Sequence, residues 1–496
     1  MLNDFDFSTN DVKKEKRSEL GEELAKLQRK LKNTNSSMLV IVDGWESAGK
    51  GYVLKDLIRE LDPRYYEVSV YETPTEEEMT HPFLWRFVRN LPSKGNIAFF
   101  DRSFYYEALN DLHLQQDALD HQLLDISLLE RLLVADGTLV VKLFLNHTKE
   151  TMKKRMDALE SDSLRKFLIS KNDKKQLKYY DQYKGHMDEV LEKTNYPDSP
   201  WKVISTEHKK NASRVALRYV MDQLSNHLNQ HVETSFLSEW EPVQVEQARP
   251  LDSIERTQKI SEEEYNHQKD VLQKKAGELV YQLWMKKLPC VLVFEGTDAA
   301  GKGGAIERLV RHMDPRGYDV ATTAAPTPNE SQYHYLWRFY KTFPRKGRVT
   351  IYDRSWYGRV LVERVEGFTP ENRWQDAYAE INEMEHNLIH EGYLLLKFLV
   401  VIDKEEQKKR FEARQNDPEK SYKLTDEDWR NHEKFEMYED AMNDMLKKTS
   451  TEEAPWTIVE GNQKEFARIK VLETFIEQAE AFLAAHQKES KQLEEK

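Results

Sequence analysis

The stretch GTDAAGKGG, residues 296–304, follows the apolar run CVLVF, and GAIERLVRHM after it has the apolar spacing of a helix. In the pattern G-x-x-x-x-G-K, glycines let backbone N–H groups turn inward around phosphate oxygens, and a helix N-terminus adds positive potential behind them. Lys302 is the point charge that reaches the outer phosphates. Such loops usually end in Ser or Thr, whose hydroxyl helps to hold Mg²⁺. Here that position is Gly303. The carboxylates able to replace the hydroxyl are Asp298, inside the loop, and Asp353, at the end of the apolar run RVTIY. Strand ends on one side of a parallel sheet converge, so both can face one metal-bound phosphate. Mg²⁺ needs few protein oxygens, and two carboxylates plus substrate phosphates suffice. Asp298 reads alternatively as a turn-stabilising side chain. Phosphate contacts are expected from Gly296, Ala300, Gly301, Gly303 and Gly304.

Basic residues cluster downstream. RFYKTFPRKGR (338–348) carries Arg338, Lys341, Arg345, Lys346 and Arg348 with no acid between them. YDRSWYGRVLVERV adds Arg354, Arg359 and Arg364, with Glu363 among them. The segment 404–424 carries seven Lys or Arg, including Lys408, Lys409, Arg410 and Arg414, against five acids. A solvated face accounts for that last run as well as a ligand does. Arginine forks suit phosphate oxygens, so the first two stretches are expected to line a polyanion channel.

The elements that must position these groups occur twice. Residues 39–113 lie over 291–365 without a gap, and 27 of 75 positions are identical. GWESAGKG meets GTDAAGKG, and FFDRSFYY meets IYDRSWYG; later, SPWKVI meets APWTIV. A period this long means a duplicated domain, not a solenoid. Each copy has a charged helical lead-in (about 10–32 and 255–288) and apolar strands at MLVIV or CVLVF, NIAFF or RVTIY, TLVVKLFL or LLLKFLVVI, and WKVIS or WTIVE. Buried strands alternating with helices predict an α/β fold, a mostly parallel sheet with helices on both faces. The expected domains are 1–230 and 250–496, joined by an aperiodic linker near 230–255, and the tail is a helix fraying into charge.

Composition narrows the class. A net charge of −13 argues against a nucleic-acid or membrane-surface binder, while leaving room for a local basic channel. The single cysteine, Cys290, excludes an intrachain disulfide and fits a reducing, cytoplasmic setting; it opens an apolar strand and reads as buried. No secretory leader and no membrane span are expected. The histidines read as scattered, and no zinc site is expected. Trp337, Trp356 and Trp456 read as core.

GTDAAGKGG, DPRGY, LWRF, YDRSWYGRVLVERV and APW, in that order, resemble the polyphosphate kinase 2 family. The resemblance covers nearly all of 290–470 and, more loosely, 38–220; the fused pair is similar to the family's two-domain members. It implies a tandem P-loop kinase fold with a helical lid, and Mg²⁺-dependent transfer of the terminal phosphoryl group of inorganic polyphosphate to a nucleoside monophosphate, AMP, giving ADP. Carried over, Asp298 and Asp353 would be the essential acidic, metal-holding pair. Lys302 and Arg354 would touch the moving phosphoryl group, and 404–424 would form the lid. Two other readings stay open: an ATP-dependent nucleoside monophosphate kinase, and a non-catalytic regulator that binds polyphosphate or nucleotide. Gly303 and the size of the basic cluster count against the first, the retained acid pair against the second. Oligomeric state is left open.

The copies differ at the site. Glu46 stands for Asp298, Glu107 for Arg359, Asp111 for Glu363 and Leu159 for Arg414, while Gly49, Lys50, Asp101, Arg102 and Ser103 persist. One working site in the second copy and an impaired one in the first are expected.

Overall fold

The computed structural model describes residues 1–7, 15–164, 166–229, 249–417 and 426–494, with Phe236 and Ser238. It contains two compact units, Met1–Met79 with Phe83–Thr234 and Pro328–Trp337, and Thr80–Pro82 with Ser235–Thr327 and Arg338–Lys496.

The first unit holds β1 (Ser37–Gly44), β2 (Tyr66–Val70), β3 (Ile97–Asp101), β4 (Thr138–Asn146) and β5 (Trp201–Ser205) in the order β2-β3-β1-β4-β5. The second holds β6 (Cys290–Gly296), β7 (Tyr318–Thr322), β8 (Val349–Asp353), β9 (Leu394–Val401) and β10 (Trp456–Glu460), and it repeats that order as β7-β8-β6-β9-β10. Every pairing is parallel. The α/β expectation holds for both copies.

Central strands are apolar because helices cover both faces. β1 and β9 are buried at every residue. In the second unit the core lies between the sheet and the helices Glu262–Met285 and Lys464–Glu494; Leu283, Phe294, Phe398, Leu472 and Phe475 are buried there together. Phe294 stacks on Phe398 at 4.9 Å. Each such side chain contributes about 1.5–3 kcal/mol by leaving water. Cys290, Trp337, Trp356 and Trp456 are buried, as expected.

β2 and β7 are additions to the sequence reading. They are edge strands with largely exposed residues, including Val68, Val70 and Val320, so neither shows the continuous apolar run that betrays the others. Most of the expected linker, and residues 418–424 of the expected lid, lie outside the described residues. Among the described residues no helix is long and apolar enough to cross a membrane.

Candidate active site

β6 ends at Gly296, and the chain runs through Asp298 to Gly301, which precedes the helix Lys302–Leu309. Gly296 has φ 136°, and a Cβ there would stand 1.9 Å from the Val400 carbonyl oxygen, so β9 admits only glycine beside it. Lys302 folds back onto its own loop, with Nζ donating to the Gly296 oxygen at 2.8 Å and the Thr297 oxygen at 3.3 Å.

β8 lies beside β6, with Asp353 opposite Phe294. The Asp353 Oδ2 is 4.0 Å from where a Cβ on Gly303 would stand. A carboxylate thus faces the place where a Ser or Thr hydroxyl would project. Asp298 accepts 2.8 Å hydrogen bonds from Arg354 Nη2 on Oδ1 and from Asn431 Nδ2 on Oδ2. Burial pushes the Asp298 carboxyl up, but Lys302, Arg354 and the two hydrogen bonds outweigh it and hold the group below its ordinary value. Burial, helped by the neighbouring Arg354, holds the Lys302 ammonium below its ordinary value against the opposing pull of Asp298, Asp353 and Glu295. Both expected acids therefore act on one ammonium. The buried Glu295 accepts from the Ser355 backbone N–H (2.7 Å) and hydroxyl (2.9 Å), which fixes the turn after Asp353.

One loop faces two hollows. Gly296, Thr297 and Asp298 line the first, whose far wall is largely apolar: Leu361, Val362, Phe435, Tyr438 and Met442, with Gly358 beside Arg354. Ala299, Ala300 and Gly301 line the second, which is basic, with Arg414, Lys464 and Arg468 around it. Most of these walls come from the helices Lys404–Gln415, Asp426–Glu433 and Phe435–Thr449 and the start of Lys464–Glu494, with Leu361 and Val362 supplied at the start of the short helix Val362–Val365. Gln407 Nε2 donates to the Asp298 backbone oxygen at 3.1 Å, and Gln407 in turn meets His432 Nδ1 at 2.7 Å, joining two of these helices to the loop.

The predicted cations do not all gather here. Arg345 and Lys346 precede β8, and Arg348 packs over Trp284 at 5.2 Å. Asp353 ends the same strand, so the length of β8, at about 3.3 Å per residue, separates them from the acid pair. Lys341 shares a hollow over β7 with Arg345 and Arg348. The assignment of Arg345 and Lys346 to phosphate is corrected accordingly: their end of the sheet is the wrong one, while Lys341 lies over the middle of β7. Arg338 stays on the loop's side, donating to the Ala324 oxygen at 3.0 Å just beyond β7. Arg364 pairs with Asp444 at 2.8 Å, donates to Tyr378 at 2.9 Å and stacks on Trp374 at 4.4 Å. Arg359 is held by Glu363 at 2.7 Å and by Thr369 at 2.5 Å.

In the segment expected as a lid, Lys408 and Lys409 are exposed and Arg414 is half-buried against the basic hollow. Arg410 is a clasp, not a lid cation. Its Nη1 donates to the Ala299 and Ala300 oxygens, both at 2.9 Å, its Nη2 to those of Gly461 (2.7 Å) and Asn462 (3.0 Å), and its Nε to Glu406 (2.7 Å). Arg155 clasps the first copy's loop through the Ser47 and Ala48 oxygens at 2.9 and 3.1 Å.

Sequence reasoning missed Glu295, Asn431, Lys464 and Arg468. Glu295 had a signal, an acid closing an otherwise apolar strand. The other three sit in ordinary helical sequence and had none.

The first copy keeps the frame and gives its acid different partners. Glu46 accepts from Arg102 Nη2 at 2.9 Å and from the Tyr106 hydroxyl at 2.5 Å. Asn172 Nδ2 donates to that hydroxyl at 2.9 Å. Tyr106 occupies the position of Gly358, so a phenol stands where the second copy has open space. Arg468 is matched by Ser213, which is buried, and Arg414 by Leu159, leaving Lys209 of the three cations on the basic side.

The family model described as Polyphosphate kinase 2 matches residues 7–232 and again 259–488. The chain is 40% identical over 456 residues to a protein of Pseudomonas syringae pv. tomato named polyphosphate:AMP phosphotransferase, covering 91% of this chain and 92% of that one. A protein of the same name from Acinetobacter johnsonii is 34% identical, covering 93% of this chain and 96% of its own. A crystal structure assigned to polyphosphate kinase 2 from Pseudomonas aeruginosa superposes with a TM-score of 0.82 at 36% identity, covering 95% of this chain and 96% of that one. With both copies matched and relatives aligned along nearly their whole length, the chain belongs to the polyphosphate kinase 2 family.

Proposed function

We propose that the protein moves the terminal phosphoryl group of inorganic polyphosphate to AMP, giving ADP, at the C-terminal site and with Mg²⁺. The observation that supports this most is the single loop between an apolar hollow ending at Asp298 and a basic hollow beginning at Ala299. A nucleoside fits the first chemically and a polyanion the second, so the two phosphates approach one another across Lys302. Relatives named polyphosphate:AMP phosphotransferases point the same way.

Polyphosphate lies along Arg414, Lys464 and Arg468, whose charges attract a chain of anions without fixing its length. Lys302 exchanges its bonds to Gly296 and Thr297 for phosphate oxygens, and Arg354 moves from Asp298 to the phosphoryl group. Asn431 ties the lid helix to Asp298, so lid closure and placement of that carboxylate are linked. The AMP phosphate is already ionised at neutral pH, so the residues position groups and offset charge without a general base. Asp298 and Asp353 supply hard oxygens from two chain segments acting on one ammonium, a donor set that fits Mg²⁺. Mg²⁺ held there with substrate would offset charge on the phosphate oxygens. The N-terminal copy, with Tyr106 on Glu46, does not turn over.

ADP formation from AMP, assayed with polyphosphate alone and then with ATP alone, tests the proposal. Turnover with polyphosphate is expected; turnover with ATP only would make the protein an ordinary nucleoside monophosphate kinase.

A further inference from the structure

We infer that His386, His390 and Glu453 form a transition-metal site suited to Zn²⁺, separate from the phosphate loop. The two histidines stand four residues apart on the helix Glu371–His390, a spacing that puts both on one face. The sequence reading took the histidines as scattered and overlooked this spacing. Glu453 comes from the segment before β10, and the phosphate loop follows the opposite, C-terminal ends of these parallel strands.

The ligand atoms converge. His386 Nδ1 is 2.8 Å from Glu453 Oε2, and His390 Nε2 is 3.7 Å from Glu453 Oε1. One ligand atom from each residue lies within 4.8 Å of the others. Tetrahedral Zn²⁺ with bonds of about 2.0–2.1 Å sets its ligands roughly 3.3 Å apart, so only small rotations separate this arrangement from coordination. Two imidazoles and a carboxylate suit a borderline cation and leave a fourth position for water; hard Mg²⁺ prefers oxygen and does not compete well. The side chains are 11%, 35% and 38% exposed, so an ion reaches them from solvent.

Among the described residues, the grouping belongs to this copy alone. The buried acids Glu385 and Glu130 each bind the corresponding lysine, Lys397 or Lys142, which fixes the alignment of the two helices. In that alignment His386 and His390 meet Arg131 and Ala135, and Glu453 meets Asp198. A bound ion would clamp the end of the helix to the start of β10, one residue from Glu385.

The test adds Zn²⁺ to the chelator-stripped full chain by calorimetry, with Co²⁺ absorption as a second reading of tetrahedral coordination. Uptake of one equivalent is expected, and His390→Ala and Glu453→Gln should each weaken it at least about tenfold. Zn²⁺ should raise the melting temperature of the parent and not of the variants, whose ADP formation with Mg²⁺ stays unchanged. No uptake, or uptake equal in parent and variants, reduces the cluster to an ion pair only and overturns the site.

Discussion

The Tyr106 hydroxyl donates a 2.5 Å hydrogen bond to the Glu46 carboxylate, and the second copy has glycine, Gly358, at the tyrosine's position. Glu46 is the partner of Asp298 in the duplication, so one substitution both fills a hollow and engages its acid. Glu46→Gln is expected to leave ADP formation within about twofold, while Asp298→Asn lowers it by about 10²-fold or more. Steady-state turnover decides it; equal losses would mean that the first site also works.

Lys302 stands among Asp298, Asp353, Glu295 and Arg354, and among the described residues its amine bonds only to backbone oxygens of its own loop. Those weak partners are easily exchanged for phosphate. Lys302→Ala should lower kcat by about 10²–10³-fold with little change in melting temperature. A large fall in melting temperature would instead make the lysine a structural clamp, as Arg410 is.

The basic hollow and the cations before β8 make opposite predictions. Arg414→Ala and Arg468→Ala should each raise KM for polyphosphate about tenfold and leave KM for AMP alone, an effect that shrinks as salt screens the remaining charge. Arg345→Ala and Lys346→Ala should change neither constant. An effect of Arg345→Ala matching that of Arg468→Ala would return the anion path to the stretch 338–348.

These contrasts mark what the sequence could disclose. The loop, the duplicated strands and the Asp353–Arg354 turn depend on short-range patterns, glycine spacing and runs of apolar residues, which are visible in one dimension. Arg345 and Asp353 are eight positions apart and on opposite ends of one strand, and charge density alone does not distinguish the ends. Arg410 looked like a neighbour of Lys408 and Lys409, yet it faces inward because backbone oxygens from two loops need its donors. Lys464 and Arg468 come to the site only because the last helix begins beside Gly304, a long-range placement with no local trace. Tyr106 over Gly358 was present in the alignment; its effect needed the third dimension.

Glu385 and Lys397 pair at 2.7 Å, both almost fully buried, with Tyr357, Trp356 and the Thr449 oxygen completing their hydrogen bonds. The first copy repeats the pair as Glu130 and Lys142. Removing one partner leaves an uncompensated buried charge, so Glu385→Ala should destabilise by about 3–5 kcal/mol. Replacing both by apolar side chains should recover much of that loss. Denaturant midpoints of the single and double variants measure the difference; an additive double variant would mean the two charges do not depend on each other.

Asp43, which stands in the first copy where Glu295 stands in the second, gives a test in pH. Burial pushes its carboxyl up to about 6, against the opposing pull of the Ser103 hydroxyl and Lys50. Its value in the unfolded chain is about 3.9. Between those two values the folded protein holds a proton that the unfolded chain has released, so this group's contribution to stability falls as pH rises through the window. Above it, the folded state carries a buried charge. Asp43→Asn carries none, keeps an oxygen for Ser103, and should match the parent at about pH 3.5, below the window. It should melt progressively higher than the parent as pH rises to 7. A melting-temperature difference that stays constant across that range would place the Asp43 carboxylate in its ionised form throughout, with Lys50 compensating the burial.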